Sequence, residues 1–429
     1  MDFAKISLSK AFFIIALSSV LNRVFTMLKD ILVAREFGRE SSIEMFLLSY
    51  ITPYTISTIV GGAIGAAFIP LFFRAQKQKI NFVSEIYFLT LFIGVALSVL
   101  LFLTFEPLML FLNHDLSQQV FSENGKWPFL NLCWFLIPTL SSALLASYLN
   151  CMGYFAFPLL CFAISPAISV VALLWFPHSI SALSIATLLG FFLEALSLLI
   201  FVNFLGHLKL FSFKKISECV AFIKASTLLL GGNILNSSAE LIDKSMGGML
   251  GHGNVAALEY GSRIPFGLGN FLRTSIGNFA VPRFSQAIAK KEFSNARKDL
   301  IHFILVYVSA GLVISLGVFY LSDWLISLIF QRGAFSPKDT QVVSHVQKIL
   351  AFQLPVFIGS SLGMWMLVAL QKQKLILFIA AICFIVNTLG NWFLMKSMGV
   401  IGISIATIIV YALSMILTLG FSFWKLLSH

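Results

Sequence analysis

The sequence predicts an all-α polytopic membrane protein of about 12 transmembrane helices in two pseudo-symmetric six-helix lobes. Three observations predict it. The 429-residue chain is 59% hydrophobic and 11% charged, with a mean hydropathy of +0.93, well beyond soluble composition. Apolar stretches of the roughly 20 residues that a spanning helix needs recur along its whole length. The chain also repeats itself: Pro53, Gly65 and Pro70 return as Pro265, Gly277 and Pro282, at a constant offset of 212. Asp30 and Gly38 return as Asp243 and Gly251, and Ser184-Ile185-Ala186-Thr187 returns letter for letter as Ser404-Ile405-Ala406-Thr407. A period near half the length signals two copies of one unit, and duplicated membrane bundles are above all the architecture of transporters.

In the first copy, spans are expected over 8–33, 42–73, 84–111, 128–151, 154–176 and 180–205. In the second they are expected over 219–249, 254–285, 299–330, 343–370, 373–395 and 400–424. The first run follows Lys5 and Lys10 as a signal peptide would. Arg23, Lys29 and Asp30 come after it without a small-residue cleavage site, so it reads as a span. The second and eighth spans carry the repeated prolines. Pro53 and Pro265 are each expected to interrupt a long helix, which bilayer depth tolerates where the backbone is buried or lines water.

The N-terminal lobe is thus expected over 1–206 and the C-terminal lobe over 219–429, with a cytoplasmic linker at 207–218 that holds Lys209, Lys214 and Lys215. Six is even, so the lobes share one topology about an axis along the membrane normal. Sixteen of the 29 basic residues fall on the side of the N-terminus and six on the other. Positive charge near helix ends stays inside, so both termini read as cytoplasmic. The net charge of +11 then answers the anionic headgroups of the inner leaflet, with no nucleic acid required. The five cysteines are scattered through apolar sequence with no CxxC spacing. They read as packing residues, neither a disulfide frame nor a metal site.

No catalytic set emerges: the chain has no histidine cluster, GxSxG or P-loop. An enzyme is therefore not expected, and without a nucleotide site the reading is secondary transport, driven by an ion gradient, the membrane potential or the substrate gradient. The informative charges are those left inside the spans: Arg23, Lys29, Lys224, Lys244, Arg263, Arg273 and Lys348. Lys224 and Lys348 lie near span ends and are expected to snorkel. The others each cost about 2.5–3.5 kcal/mol on insertion scales unless they face water or a partner. They concentrate on the first, seventh and eighth spans, with Glu44 on the second. These four spans are duplicated equivalents, so their polar faces are expected to line one central cavity. The competing reading is pairing on single helices. Glu240 and Lys244 are four apart, as are Glu259 and Arg263, and Asp30 shares a stripe with Arg23.

At these residues the chain resembles a known family. Leu21-Asn22-Arg23-Val24 and Lys29-Asp30-Ile31-Leu32-Val33-Ala34-Arg35-Glu36-Phe37-Gly38 are similar to the first-helix signature of the MurJ/MviN lipid II flippases. Ala67-Phe68-Ile69-Pro70 resembles the end of their second helix, and Tyr260-Gly261-Ser262-Arg263-Ile264 their eighth. Phe330-Gln331-Arg332-Gly333-Ala334-Phe335, with Asp339-Thr340, resembles the loop after their ninth. The resemblance implies the MOP exporter (MATE-like) fold, two six-helix lobes facing each other in a V. It implies movement of lipid-linked peptidoglycan precursor across a bacterial inner membrane, in the service of cell-wall biogenesis and cell shape. The partners implied are that precursor and membrane lipids, with the chain acting as a monomer.

Carried over residue by residue, the substrate-binding set is Arg23, Lys29, Glu44, Arg263 and Arg273. Lys29 replaces an arginine, keeping charge and losing the two-point fork. A basic pair on the second helix is replaced by Ser57 and Thr58, and two helices that follow the twelfth span in the family are not expected here. The resemblance also implies Na⁺ as a coupling ion, with Asp243, Asn387, Asn391 and Thr407 as oxygen ligands; an ordinary interhelical polar contact is the alternative. Two other transporters share the implied fold: a flippase for another lipid-linked oligosaccharide of the O-antigen or capsule type, and a drug/cation antiporter. The second favours an acidic pocket over a cationic one.

Overall fold

The computed structural model describes residues 8–74, 79–112, 114–206 and 216–427, which are helices joined by short turns, with no strand among them. Thirteen helices follow in order: α1 (Leu8–Phe37), α2 (Ser41–Arg74), α3 (Lys79–Leu112), α4 (His114–Asn124), α5 (Trp127–Cys151), α6 (Ala156–Trp175), α7 (Ile180–Phe204), α8 (Ile216–Gly248), α9 (Asn254–Ala289), α10 (Phe293–Phe330), α11 (Pro337–Ala369), α12 (Gln373–Met398) and α13 (Val400–Leu427). Short α4 is polar and amphipathic, an element the span count did not anticipate.

Nine of these helices are long and apolar enough to cross a membrane among the described residues. The other three expected spans are α1, α8 and α9, of 30, 33 and 36 residues. At 1.5 Å per residue each exceeds the ~30 Å hydrocarbon core. What sets them apart is polarity: they carry Arg23, Lys29 and Asp30, then Glu240, Asp243 and Lys244, then Glu259, Arg263 and Arg273.

Packing divides the chain into Met1–Ser237 and Ser238–His429, a boundary inside α8. Of the expected linker at 207–218, residues 207–215 lie outside the described residues, as do Lys5 and Lys77. Phe222, near the start of α8, is buried in the core of the first unit.

In the first unit, α5 is central and packs on α2, α3 and α7, while α1 lies on α6 and α6 on α7. Its core stacks Phe68 on Phe72 and Phe82, with Tyr148 edge-on, beside Leu144 and Leu198. In the second unit, α11 is central and packs on α9, α10 and α13, while α12 lies on α13. There Phe284 and Phe303 meet Ile358, Leu362 and Met366.

The repeat shows in the backbone. Gly38 directly follows α1 and Gly251 lies in the turn after α8, with positive φ of 51° and 97°, the left-handed region that glycine adopts without a Cβ penalty. Gly65 and Gly277 serve a close approach in each unit. A Cβ on Gly65 would stand 2.7 Å from Ser147 Oγ of α5, and one on Gly277 would stand 3.0 Å from the Trp365 ring of α11.

Two local outcomes differ from expectation or sharpen it. α2 and α9 run unbroken through Pro53 and Pro265. A proline forfeits one backbone bond, and in helices this long the flanking turns keep the rest. α11 starts earlier than expected because Ser336 and Asp339 form a reciprocal capping box ahead of Pro337.

Candidate functional site

The predicted cation ligands converge in the second unit. Asn387 and Asn391 lie one turn apart on α12, so both amides leave the same face of the helix. Asn387 Nδ2 donates to Asp243 Oδ1 at 3.1 Å and Asn391 Nδ2 to the same oxygen at 2.5 Å. Thr407 Oγ1 of α13 donates to Asp243 Oδ2 at 3.1 Å and also to the Ile403 carbonyl at 3.0 Å. Both asparagines are buried, and their carbonyl oxygens Oδ1 are buried with no hydrogen-bond partner.

That last detail tests the fit to a cation. The site offers one carboxylate, two amide oxygens and a hydroxyl, all hard oxygen donors of the kind that suit Na⁺. Two of those oxygens are left unsatisfied although satisfied partners are the rule for buried polar atoms. The residues fit the ion.

Beside this cluster lies an ion-pair network that sequence spacing resolved only in part. Lys244 Nζ sits 2.8 Å from Glu240 Oε1 on its own helix and 2.5 Å from Glu259 Oε2 on α9. The other Glu259 oxygen pairs with Arg263 one turn along. The two expected i,i+4 pairs are thus joined by Lys244–Glu259 into one chain of alternating charge across two helices. Lys244 and Glu259 keep only 10% and 9% of their side-chain surface exposed, against 32% for Arg263 and 50% for Glu240.

Arg273 is different. Its guanidinium carbon stands 5.6 Å from the Phe357 ring of α11, and among the described residues it has no carboxylate partner. It lines a cleft of about 500 Å³ with Asn270, Thr274 and Trp365. Residues 270, 273, 274 and 277 share one face of α9 by helical spacing.

In the first unit, Arg23 and Lys29 lie on α1. Arg23 is exposed and no carboxylate holds it among the described residues. The ion pair of Asp30 is with its neighbour Lys29, at 3.4 Å, rather than with Arg23. Glu44, in the first turn of α2, is fully buried at 0% exposure. Ser57 and Thr58 are half-buried on α2, and Thr58 Oγ1 is spent on the Thr55 carbonyl at 2.9 Å.

The family model described as "Lipid II flippase MurJ" matches residues 33–425, beginning just after Arg23 and Lys29. A protein of Rickettsia prowazekii named "Probable lipid II flippase MurJ" is 24% identical over 420 residues, covering 92% of this chain and 80% of its own. One of the same name from Bdellovibrio bacteriovorus is 23% identical, covering 96% and 81%. Among solved structures, "Lipid II flippase MurJ, inward closed conformation" superposes with a TM-score of 0.81 at 21% identity, over 96% of this chain and 90% of that one. An inward-facing multidrug resistance MATE family transporter of the MOP superfamily gives 0.80 at 11% identity, over 95% of each. Likenesses this close at such low identity show a shared architecture of spans.

Proposed function

Because the chain belongs to the lipid II flippase MurJ family, we propose that it carries lipid II from the inner to the outer leaflet of the bacterial cytoplasmic membrane, by alternating access of its two lobes. It is a multi-pass membrane protein and a transporter, not an enzyme. In this reading all twelve spans cross, both termini are cytoplasmic, as the excess of lysine and arginine on that side favours, and the chain works as a monomer.

The observation that carries the reading is the concentration of guanidinium groups on the polar helices α1 and α9. Arg23 and Arg273 have no carboxylate partner among the described residues, and Arg263 shares Glu259 with Lys244. Uncompensated guanidinium in a span is costly unless it meets water or an anion. A diphosphate is such an anion, and the planar fork of arginine binds it at two points. Lys29 adds charge without the fork. Glu44, buried at the start of α2, is proposed to fix how α2 is held beside the substrate path. The cleft at Asn270, Arg273 and Thr274 adds amide and hydroxyl groups suited to a sugar-bearing headgroup.

Asp243, Asn387, Asn391 and Thr407 are proposed to hold Na⁺ as the coupling ion. When bound, it supplies the positive charge that neutralises Asp243 and ties α8 to α12 and α13. Asn387 and Asn391 would offer it their amide oxygens and Thr407 its hydroxyl.

The deciding experiment is complementation of a flippase-depleted bacterium, read as outer-leaflet lipid II. Restored growth with lipid II reaching the outer leaflet is expected. Lipid II retained inside while another lipid-linked oligosaccharide crosses would move the substrate to that oligosaccharide.

A further inference from the structure

We propose that Glu194 is a proton-binding site of the first unit, a second cation site distinct from the oxygen cluster around Asp243. Its use in transport rests on the functional reading above; its occupancy by a proton does not.

Glu194 is the only charged residue of α7 and stands about 21 Å along that 25-residue helix, 4% exposed. The groups around it are small or apolar. α6 and α7 pack antiparallel in register. Ser169 Oγ meets Thr187 Oγ1 at 3.4 Å, a Cβ on Gly190 would stand 2.5 Å from the Ser165 backbone, and Cys161 lies within electrostatic range of Glu194. From α5 the Ser142 hydroxyl acts on the carboxyl, and Leu198, one turn further along α7, enters the core. Toward α2, Phe191 meets Phe135 edge-on, and Phe135 meets Tyr50. Among the described residues no lysine, arginine or histidine pairs with Glu194.

The repeat shows that packing does not demand an acid here. The turns after α5 and α11 match bond for bond: Gly153 N donates to Asn150 O and Tyr154 N to Leu149 O, as Gln371 N does to Val368 O and Lys372 N to Leu367 O. That match sets Ser142 against Ser360, and the repeated Ser-Ile-Ala-Thr run at 184 and 404 sets Glu194 against Ser414. Ser360 and Ser414 hydrogen-bond through their hydroxyls at 2.6 Å. Two hydroxyls thus close in the second unit the contact that a hydroxyl and a carboxyl occupy in the first.

A carboxylate in an apolar core without a counter-ion is costly, and acids placed so inside a membrane mark proton paths. A metal ion asks for several oxygens, and this site offers the carboxyl and Ser142 with a thiol beside them. A proton needs only the carboxyl itself: uptake from water forms one O–H bond, and release returns the proton to water.

The test treats the purified full chain in detergent with dicyclohexylcarbodiimide, an apolar reagent that turns protonated carboxyls into stable N-acylureas, and maps the peptides by mass spectrometry. Glu194 is expected to be labelled equally in NaCl and KCl, and less as pH rises. The folded chain holds a proton that the unfolded chain releases, so wild type should lose stability relative to Glu194→Gln as pH rises. Glu194→Ser, the pairing of the second unit, should fold and follow the glutamine variant. Melting temperatures of wild type and Glu194→Gln that keep a constant difference at every pH overturn the site. Labelling suppressed by sodium and not by potassium overturns the proton as its occupant. In a flippase-depleted strain, delivery of lipid II to the outer leaflet should depend on external pH with wild type and lose that dependence with Glu194→Gln; equal dependence in both overturns the use in transport alone. Labelling and melting involve no lipid II, so failure of the flippase reading leaves them standing.

Discussion

Replacing Asp243 with alanine should alter stability in two separable ways. Three side chains donate to this carboxylate, at 3.1, 2.5 and 3.1 Å. Such bonds are worth about 1.5–3 kcal/mol each when the acceptor is charged in a soluble protein, and measured values in membrane bundles average nearer 0.6, up to about 1.7. The substitution also removes the cost of burying the carboxylate, and Thr407 keeps its bond to the Ile403 carbonyl. The net loss should therefore be about 1–3 kcal/mol, equal in sodium and potassium. The second effect depends on the ion. Sodium at ten times its Kd stabilises a native state that alone binds it by about 1.4 kcal/mol, and the alanine variant should show none of this. Melting curves in matched NaCl and KCl, for wild type and Asp243→Ala, separate the two. A variant that melts lower yet retains the full sodium increment would refute the site. A wild type indifferent to the choice of cation would do the same.

Arg23→Ala or Arg263→Ala should stop delivery of lipid II to the outer leaflet of a depleted strain, and arginine to lysine at either should be milder but still damaging, since ammonium lacks the two-point fork; full function with both as alanine would end the diphosphate model. Lys29→Arg should be tolerated in the same assay. Gly277→Leu should cost about 1–3 kcal/mol by overpacking, because even a Cβ there lies 3.0 Å from the Trp365 ring; a melting temperature equal to wild type would show that the indole is free to move. Cys151→Ser and Lys425→Ala should leave flipping and melting nearly unchanged. Cys151 only borders the first unit's core, and Lys425 lies over its neighbour Trp424, its Nζ 4.1 Å from the ring centroid.

The parts legible in the sequence are those that depend on local rules or on the repeat. Gly38 and Gly251 could be paired by offset alone, and both prove to have positive φ in the turns that follow α1 and α8. Asn387 and Asn391 were placed on one face by a spacing of four, and a shared face is what brings both to Asp243. The Lys244–Glu259 bridge was not legible. Spacing identifies which residues neighbour each other on one helix, whereas this bridge depends on which face α9 turns to α8. The same limit hid the pairing of Asp30, where an adjacent lysine prevailed over an arginine two turns away. Pro53 and Pro265 misled in the opposite sense: a local rule promised a break, and the length of each helix overrode it.

Asp30 and Asp243 occupy matching places in the repeat, and the groups that meet them differ. The first sits against its neighbouring lysine, while the second is surrounded by amides and a hydroxyl from two other helices. A doubled gene permits this, because one copy can maintain an inherited arrangement while its twin drifts toward another use. The turns that end α1 and α8 could not drift in the same way, since both copies must still close a helix there. Symmetry in such a chain survives where the backbone demands it and lapses where side chains acquire separate tasks. Within the second half, departures from the first are therefore the places to look for what was gained after the two were joined.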